Sequence, residues 1–126
     1  MRVIAGKYRR RLLFKDKSPL CRPTQDRVKE SLFNILSTSI NGAMCLDLFC
    51  GSGSLGIEAL SRGASDVICV DHNVKTAEKN VKNLGCPITI VRRDVIQFLK
   101  QCQQRFDIIF LDPPYKEIHL YEKALN

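Results

Sequence analysis

The sequence predicts an α/β protein built on an open, doubly wound, mostly parallel sheet, and three observations lead there. From residue 43 onward, short continuously apolar runs alternate with helical stretches; strands of that kind belong to parallel sheets covered on both faces. A G-x-G-x-x-G at Gly51, Gly53 and Gly56 lies where the first run gives way to the first helical stretch, where such sheets bring backbone against a ligand. Acidic residues, Asp47, Asp71, Asp94 and Asp112, stand at or near the carboxyl ends of four successive runs. Packing gives no reason for a charge there each time, whereas a site at the strand ends does.

The elements follow in order. "RVIAGKYRRRLLF" has β-branched and aromatic residues on both sides of a glycine-containing turn and suits a short hairpin. "TQDRVKESLFNILSTSI", with Thr24 as N-cap after Pro23, places Val28, Leu32, Phe33, Ile35 and Leu36 on one side of an amphipathic helix that Asn41-Gly42 ends. Then come strands over 43–49, 66–71, 88–94 and 107–112, with helices over 54–63, 74–85 and 95–104 between them. Right-handed crossovers wind these units into one open sheet.

At 126 residues the chain is at most one compact domain. An apolar fraction of 44% is that of an ordinary globular protein. No apolar run approaches the roughly 18 residues of a transmembrane helix, and "MRVIAGKYRRRLL" does not read as a secretory signal, so a cytoplasmic protein without membrane association is expected. The six cysteines have no C-x-x-C spacing and only two histidines to join them; no metal site is expected, and the cysteines read as small buried hydrophobes. The net charge of +7 is unevenly placed: residues 1–30 carry ten Lys or Arg against three acidic residues, while the remainder is balanced at ten and ten. That is a polyanion-binding arm on a neutral body, or a solvated basic tail.

The glycine turn gains meaning from Asp71, 20 residues beyond Gly51 at the end of the next strand, where a carboxylate can take both hydroxyls of a ribose. Dinucleotides and S-adenosylmethionine both use this arrangement. Asp47, just before the turn, favours the second, because it would attract a cationic ammonium and repel a pyrophosphate. Asp94 could accept from an adenine amino group. "DPPY", Asp112 to Tyr115, then fits an amine acceptor. An exocyclic base amine is a poor nucleophile until its N–H groups are held by acceptors that free its lone pair. Asp112 and the Pro113 carbonyl would be those acceptors, fixed by the neighbouring prolines, with Tyr115 as a stacking surface for an extruded base.

On these motifs the sequence resembles the nucleic-acid amino-methyltransferases that carry N/D-P-P-Y. More closely, it resembles the bacterial 16S rRNA guanine-N2 methyltransferase family of the RsmD type, through "MRVIAGKYRRRLL", "RPTQDRVKESLFNIL", "LDLFCGSGSLGIEALSRGA" and "FDIIFLDPPY". The resemblance implies a Rossmann-like class I methyltransferase fold with strand order 3-2-1-4. It implies S-adenosylmethionine as methyl donor and a guanine amino group of 16S rRNA, in the 30S subunit or its assembly intermediate, as acceptor. It implies cofactor roles for Asp47, Phe49, Gly51, Ser52, Gly53, Asp71, His72, Asp94 and Val95. Asp112, Pro113, Pro114 and Tyr115 would be catalytic, and Lys7, Arg9, Arg10, Arg22, Pro23, Thr24 and Arg27 would meet the RNA.

Residues 1–41 are accordingly expected to form a basic RNA-binding extension, and 42–126 a methyltransferase domain lacking the later strands of the family. The run "IIFL" would then be an exposed apolar edge. Two alternatives stay open: methylation of adenine N6 or cytosine N4 in DNA, and a truncated RNA-binding remnant without catalysis.

Overall fold

A computed structural model describes residues 1–15 and 26–113. Four strands, β1 (Met44–Leu48), β2 (Asp66–Asp71), β3 (Thr89–Arg92) and β4 (Ile108–Leu111), form one parallel sheet in the order β3-β2-β1-β4. Helix α1 (Asp26–Ile35) precedes the sheet, and α2 (Ser54–Ser61), α3 (Lys75–Leu84) and α4 (Val95–Gln101) are its crossovers. The expected fold and strand order are both present. The observed elements fall inside the predicted ones, chiefly because the final turns relax: Gly85 ends α3 in the left-handed conformation, its amide bonded to Val81 and Lys82 carbonyls.

The alternation of side chains along β1 divides the core. Cys45 and Asp47 face α2, whereas Leu46 and Leu48 join Val70 and Val95 on the α4 side, with Phe98 and Leu99 of α4 against them. On the first face Phe33 of α1 meets Phe110 of β4 at 5.5 Å between ring centroids.

Helix α1 corrects the sequence reading in two ways. Its buried side chains are Lys29 and Phe33, while Val28 and Ile35 are exposed at 55% and 80%. The apolar side predicted from Val28 and Ile35 is therefore rotated, because Lys29 has partners inside that outweigh its aversion to burial. The helix also stops at Ile35 rather than at Asn41-Gly42. Ser37, Thr38 and Ser39 compete for backbone hydrogen bonds, and separate turns closed by Ser39 and Ile40 amides on the Leu36 carbonyl carry the chain onward.

The N-terminal hairpin is present in a minimal form: one antiparallel bridge, Arg2 to Leu12, with Val3 donating to the Arg11 carbonyl at 2.9 Å and Arg10 to that of Val3 at 2.8 Å. It is docked on the sheet's helices rather than extended from them. Val3 and Leu13 pack with Ile57, Leu84 and Cys86. Burying two branched side chains here contributes about 1.5–3 kcal/mol each. Lys7 and Tyr8 amides donate to the Ser61 carbonyl and hydroxyl.

Candidate functional site

The parallel register brings the carboxyl ends of all four strands to one edge. Leu48 pairs with Val70 and with Leu111, and Asp71 pairs with Arg92. The glycine turn leaves β1 at this edge. Phe49, Gly51 and Gly53 all have left-handed backbone, at φ 57, 55 and 81, and two of the three are the residue that adopts it without strain. The Gly53 amide closes the turn on the Cys50 carbonyl at 2.8 Å, and Gly53 then caps α2. The space where a Gly51 side chain would stand is open, so a ligand can approach this backbone.

Gly56, the third glycine of the motif, answers a different need. A Cβ there would meet Cys69 Sγ at 2.8 Å and Val67 at 3.0 Å, so its absence lets α2 lie directly on β2.

Asp71 is the centre of the arrangement. Its Oδ2 accepts from the Gly51 amide at 2.9 Å, and its Oδ1 accepts from the His72 amide at 2.8 Å and lies 2.9 Å from His72 Nδ1. One carboxylate, itself buried, thus ties the glycine turn to the end of β2. Asp47 lies beneath the same turn, 2% exposed, its Oδ2 accepting from the Gly56 amide at 3.0 Å. Burial pushes its carboxyl up to about 7 despite that hydrogen bond, and the negative charges of Asp71 and Asp112 push in the same direction. A cation arriving at the turn would favour the ionised form.

The other expected residues are more widely distributed. Ser52 is buried, its hydroxyl 3.6 Å from Met1 Sδ. Asp94 caps α4 by accepting from the Gln97 amide at 3.0 Å, and Val95 is buried on the α4 side of the sheet. Asp112 follows β4 at the same edge and is exposed, with Pro113 after it. Lys7, Arg9 and Arg10 are exposed on the hairpin and Arg27 on α1. Arg22, Pro23, Thr24, Pro114 and Tyr115 lie outside the described residues. Among the described residues no group of three or more His, Cys, Asp or Glu could hold a metal ion, and no helix is long and apolar enough to cross a membrane. Cys45, Cys50, Cys69 and Cys86 are free and buried.

Sequence reasoning missed the polar clamp around this turn. Glu58, fully buried on α2, accepts from the Ile4 and Ala5 amides at 2.9 and 3.1 Å and from Arg62 Nε at 2.7 Å, and faces Lys29 Nζ at 3.4 Å. Lys29 Nζ also donates to the Arg2 carbonyl at 2.7 Å and to Ser54 Oγ at 2.9 Å. Burial pushes the Lys29 ammonium below its ordinary value, and Glu58 opposes that shift. Lys29 counts toward the basic arm in composition but is unavailable to a polyanion. Asn80 of α3, also buried, accepts from the Phe14 amide at 2.7 Å and donates to the Phe14 and Ser52 carbonyls at 3.1 and 2.9 Å. The available signal was a lysine and an asparagine at positions of their helices that face the core.

The family model described as "Conserved hypothetical protein 95" matches residues 1–126. The chain is 43% identical to ribosomal RNA small subunit methyltransferase D of Haemophilus influenzae, with 100% of this chain and 69% of that protein covered. It spans about two thirds of the length of the curated relatives it matches. Among solved structures, an Escherichia coli protein provisionally described as methyltransferase yhhF superposes with a TM-score of 0.87 at 38% identity, over 100% of this chain and 71% of that one. The Trypanosoma brucei PRMT1 enzyme-prozyme complex with AdoHcy gives 0.58 at 27% identity, over 70% of this chain and 29% of that one. The glycine turn, the order β3-β2-β1-β4 and the docked hairpin thus occur in a chain that belongs to the conserved hypothetical protein 95 family, the RsmD family.

Proposed function

We propose that the protein is an S-adenosylmethionine-dependent methyltransferase acting on the exocyclic N2 amine of a guanine in 16S rRNA, within the 30S subunit or an assembly intermediate. The observation that carries this reading is Asp71, whose carboxylate closes on the Gly51 amide beside open space at the carboxyl edge of the sheet. That geometry suits a ribose next to a close-approach backbone. Relatives named as small-subunit rRNA methyltransferases support the reaction class and the RNA, and AdoHcy in a structural relative supports the donor.

The residues present fit the cofactor. Asp71 would hold the ribose hydroxyls, and Gly51 to Gly53 would admit the chain that follows. Asp47 would favour a cation above the turn, and Asp94 would face the adenine. S-adenosylmethionine supplies an electrophilic methyl group when bound. Asp112 Oδ and the Pro113 carbonyl would accept hydrogen bonds from the guanine amine, turning its lone pair outward, and the Asp112 carboxylate would take up the proton that the nitrogen loses. Pro114 and Tyr115 would complete the base site, and the exposed cations Lys7, Arg9, Arg10 and Arg27, with Arg22, Pro23 and Thr24, would hold the RNA.

The test compares transfer of a labelled methyl group to immature 30S particles, naked 16S rRNA and duplex DNA. Transfer to guanine N2 in particles or rRNA is expected; transfer to DNA alone would replace the RNA reading with a DNA one. Asp112→Ala should abolish transfer with cofactor affinity nearly intact, and Asp71→Ala should abolish cofactor binding in a calorimetric titration. Equal loss of both in Asp112→Ala would remove that residue from the chemistry.

A further inference from the structure

Residues 31–126 carry as many acidic as basic residues, yet their cations are not evenly spread. Lys75, Lys79 and Lys82 lie at i, i+4 and i+7 on α3, one stripe of the helix, and all three are exposed. Glu78 is the acidic residue of α3 and lies on the flank of this stripe, leaving an excess of positive charge.

The hairpin is fastened to that same helix. Asn80 pairs with the Phe14 backbone through both ends of its amide. The Lys79 ammonium lies 4.0 Å from the centre of the Phe14 ring, and Arg11 Nη2 donates to the Asn83 carbonyl at 3.3 Å. These contacts set the arm's exposed Arg11 and Lys15 beside the lysines of α3. Two cationic segments some 65 residues apart in sequence are thereby made into one surface. Its upper end is Lys75, four residues beyond Asp71, so it begins at the edge where the glycine turn opens. It runs about 10 Å along the helix axis to Lys82, at about 1.5 Å per residue.

A solvated helix face explains lysines at this spacing but not their fastening to an arm of like charge. Bringing like charges together costs energy, which a polyanion along both segments would repay. We infer that Lys75, Lys79 and Lys82 extend the hairpin's cations into one RNA-binding surface that takes the sugar–phosphate backbone flanking the target nucleotide. This rests on the function proposed above and adds a contact region to it. Phosphate contacts set register and affinity without reading bases, so the surface contributes to binding and not to the choice of base.

The experiment measures binding of a 16S rRNA fragment at several salt concentrations, with S-adenosylhomocysteine affinity measured in parallel. Lys75→Gln/Lys79→Gln is compared with Lys100→Gln/Arg105→Gln, which removes the same charge from exposed positions on and after α4. The α3 variant should bind RNA about tenfold more weakly at low salt and lose roughly 1.4–1.8 from the salt slope, about 0.7–0.9 per phosphate contact. Its S-adenosylhomocysteine affinity should match that of the parent, and the α4 variant should keep the parental slope. Equal slopes in parent and α3 variant, or equal losses in the two variants, would overturn the surface while leaving the enzyme reading in place. Failure of the parent to bind S-adenosylhomocysteine or RNA would overturn both.

Discussion

The two faces of the sheet are built on different principles. Among the described residues the α4 face is an apolar cluster: Leu46, Leu48, Val70 and Val95 are buried together, with Phe98, Leu99 and Leu111 packed on them. The opposite face, under α1, α2 and the hairpin, buries Lys29, Glu58, Ser61 and Asn80 among its hydrophobic residues. Apolar packing is non-directional and needs only volume and shape. The polar groups are directional: Glu58 fits only if the Ile4 and Ala5 amides, Arg62 and Lys29 are where they are. One face excludes water; the other specifies where a charged arm sits relative to the glycine turn.

The largest effect that would test this contrast is at Glu58. Glu58→Ala leaves the Lys29 ammonium buried without its counter-charge and should cost about 3–5 kcal/mol in urea unfolding. It should also abolish amide-exchange protection at Ile4 and Ala5. A loss under about 1 kcal/mol would mean that the clamp does not anchor the arm. Leu46→Ala on the opposite face should cost about 2–5 kcal/mol, yet leave the relative protection of Ile4 and Ala5 unchanged. Selective loss of arm protection in Leu46→Ala would erase the distinction between the faces.

A smaller and pH-dependent effect is expected at Asp47, whose carboxyl is raised from an ordinary 3.8 to about 7. Below pH 4 both folded and unfolded states hold the proton. Between about 4 and 7 the folded state retains a proton that the unfolded chain releases, so this group's contribution to stability falls as pH rises. Asp47→Asn should therefore gain stability relative to the parent between pH 4 and pH 8, as followed by thermal melts. A constant difference would show that Asp47 titrates normally. The smallest effect is at His72, 80% exposed beside Asp71. His72→Ala should alter stability by at most about 1 kcal/mol and change cofactor affinity by no more than about threefold; a larger loss of affinity would make His72 an essential support of Asp71.

The same contrast explains what the sequence disclosed. Strands and crossovers were legible because their apolar runs and punctuating glycines are local signals: β2 falls on the predicted 66–71, and Gly85 ends α3 as expected. Gly51, Gly53 and Asp71 were legible as a group because the distance between them in sequence reflects one strand–turn–helix–strand unit. Lys29, Glu58 and Asn80 were not. Each looks like an ordinary surface residue of a helix until partners 25 to 66 residues away are in place. The apolar side of α1 was misjudged for the same reason, since Lys29 takes the position that periodicity would give to an apolar residue.

Asn80 also imposes an order in time. The Phe14 backbone it secures is made 66 residues earlier, which at about 5–20 residues per second is an interval of roughly 3–13 s during synthesis. Throughout that interval the cationic hairpin exists without the helix that fixes it, and Val3 and Leu13 lack the Leu84 and Cys86 they later pack against. A nascent chain halted before Asn80 should expose this segment to protease, and one halted after α3 has left the ribosomal tunnel should protect it. The arm is made before the helix that holds it and is fixed only once that helix has formed.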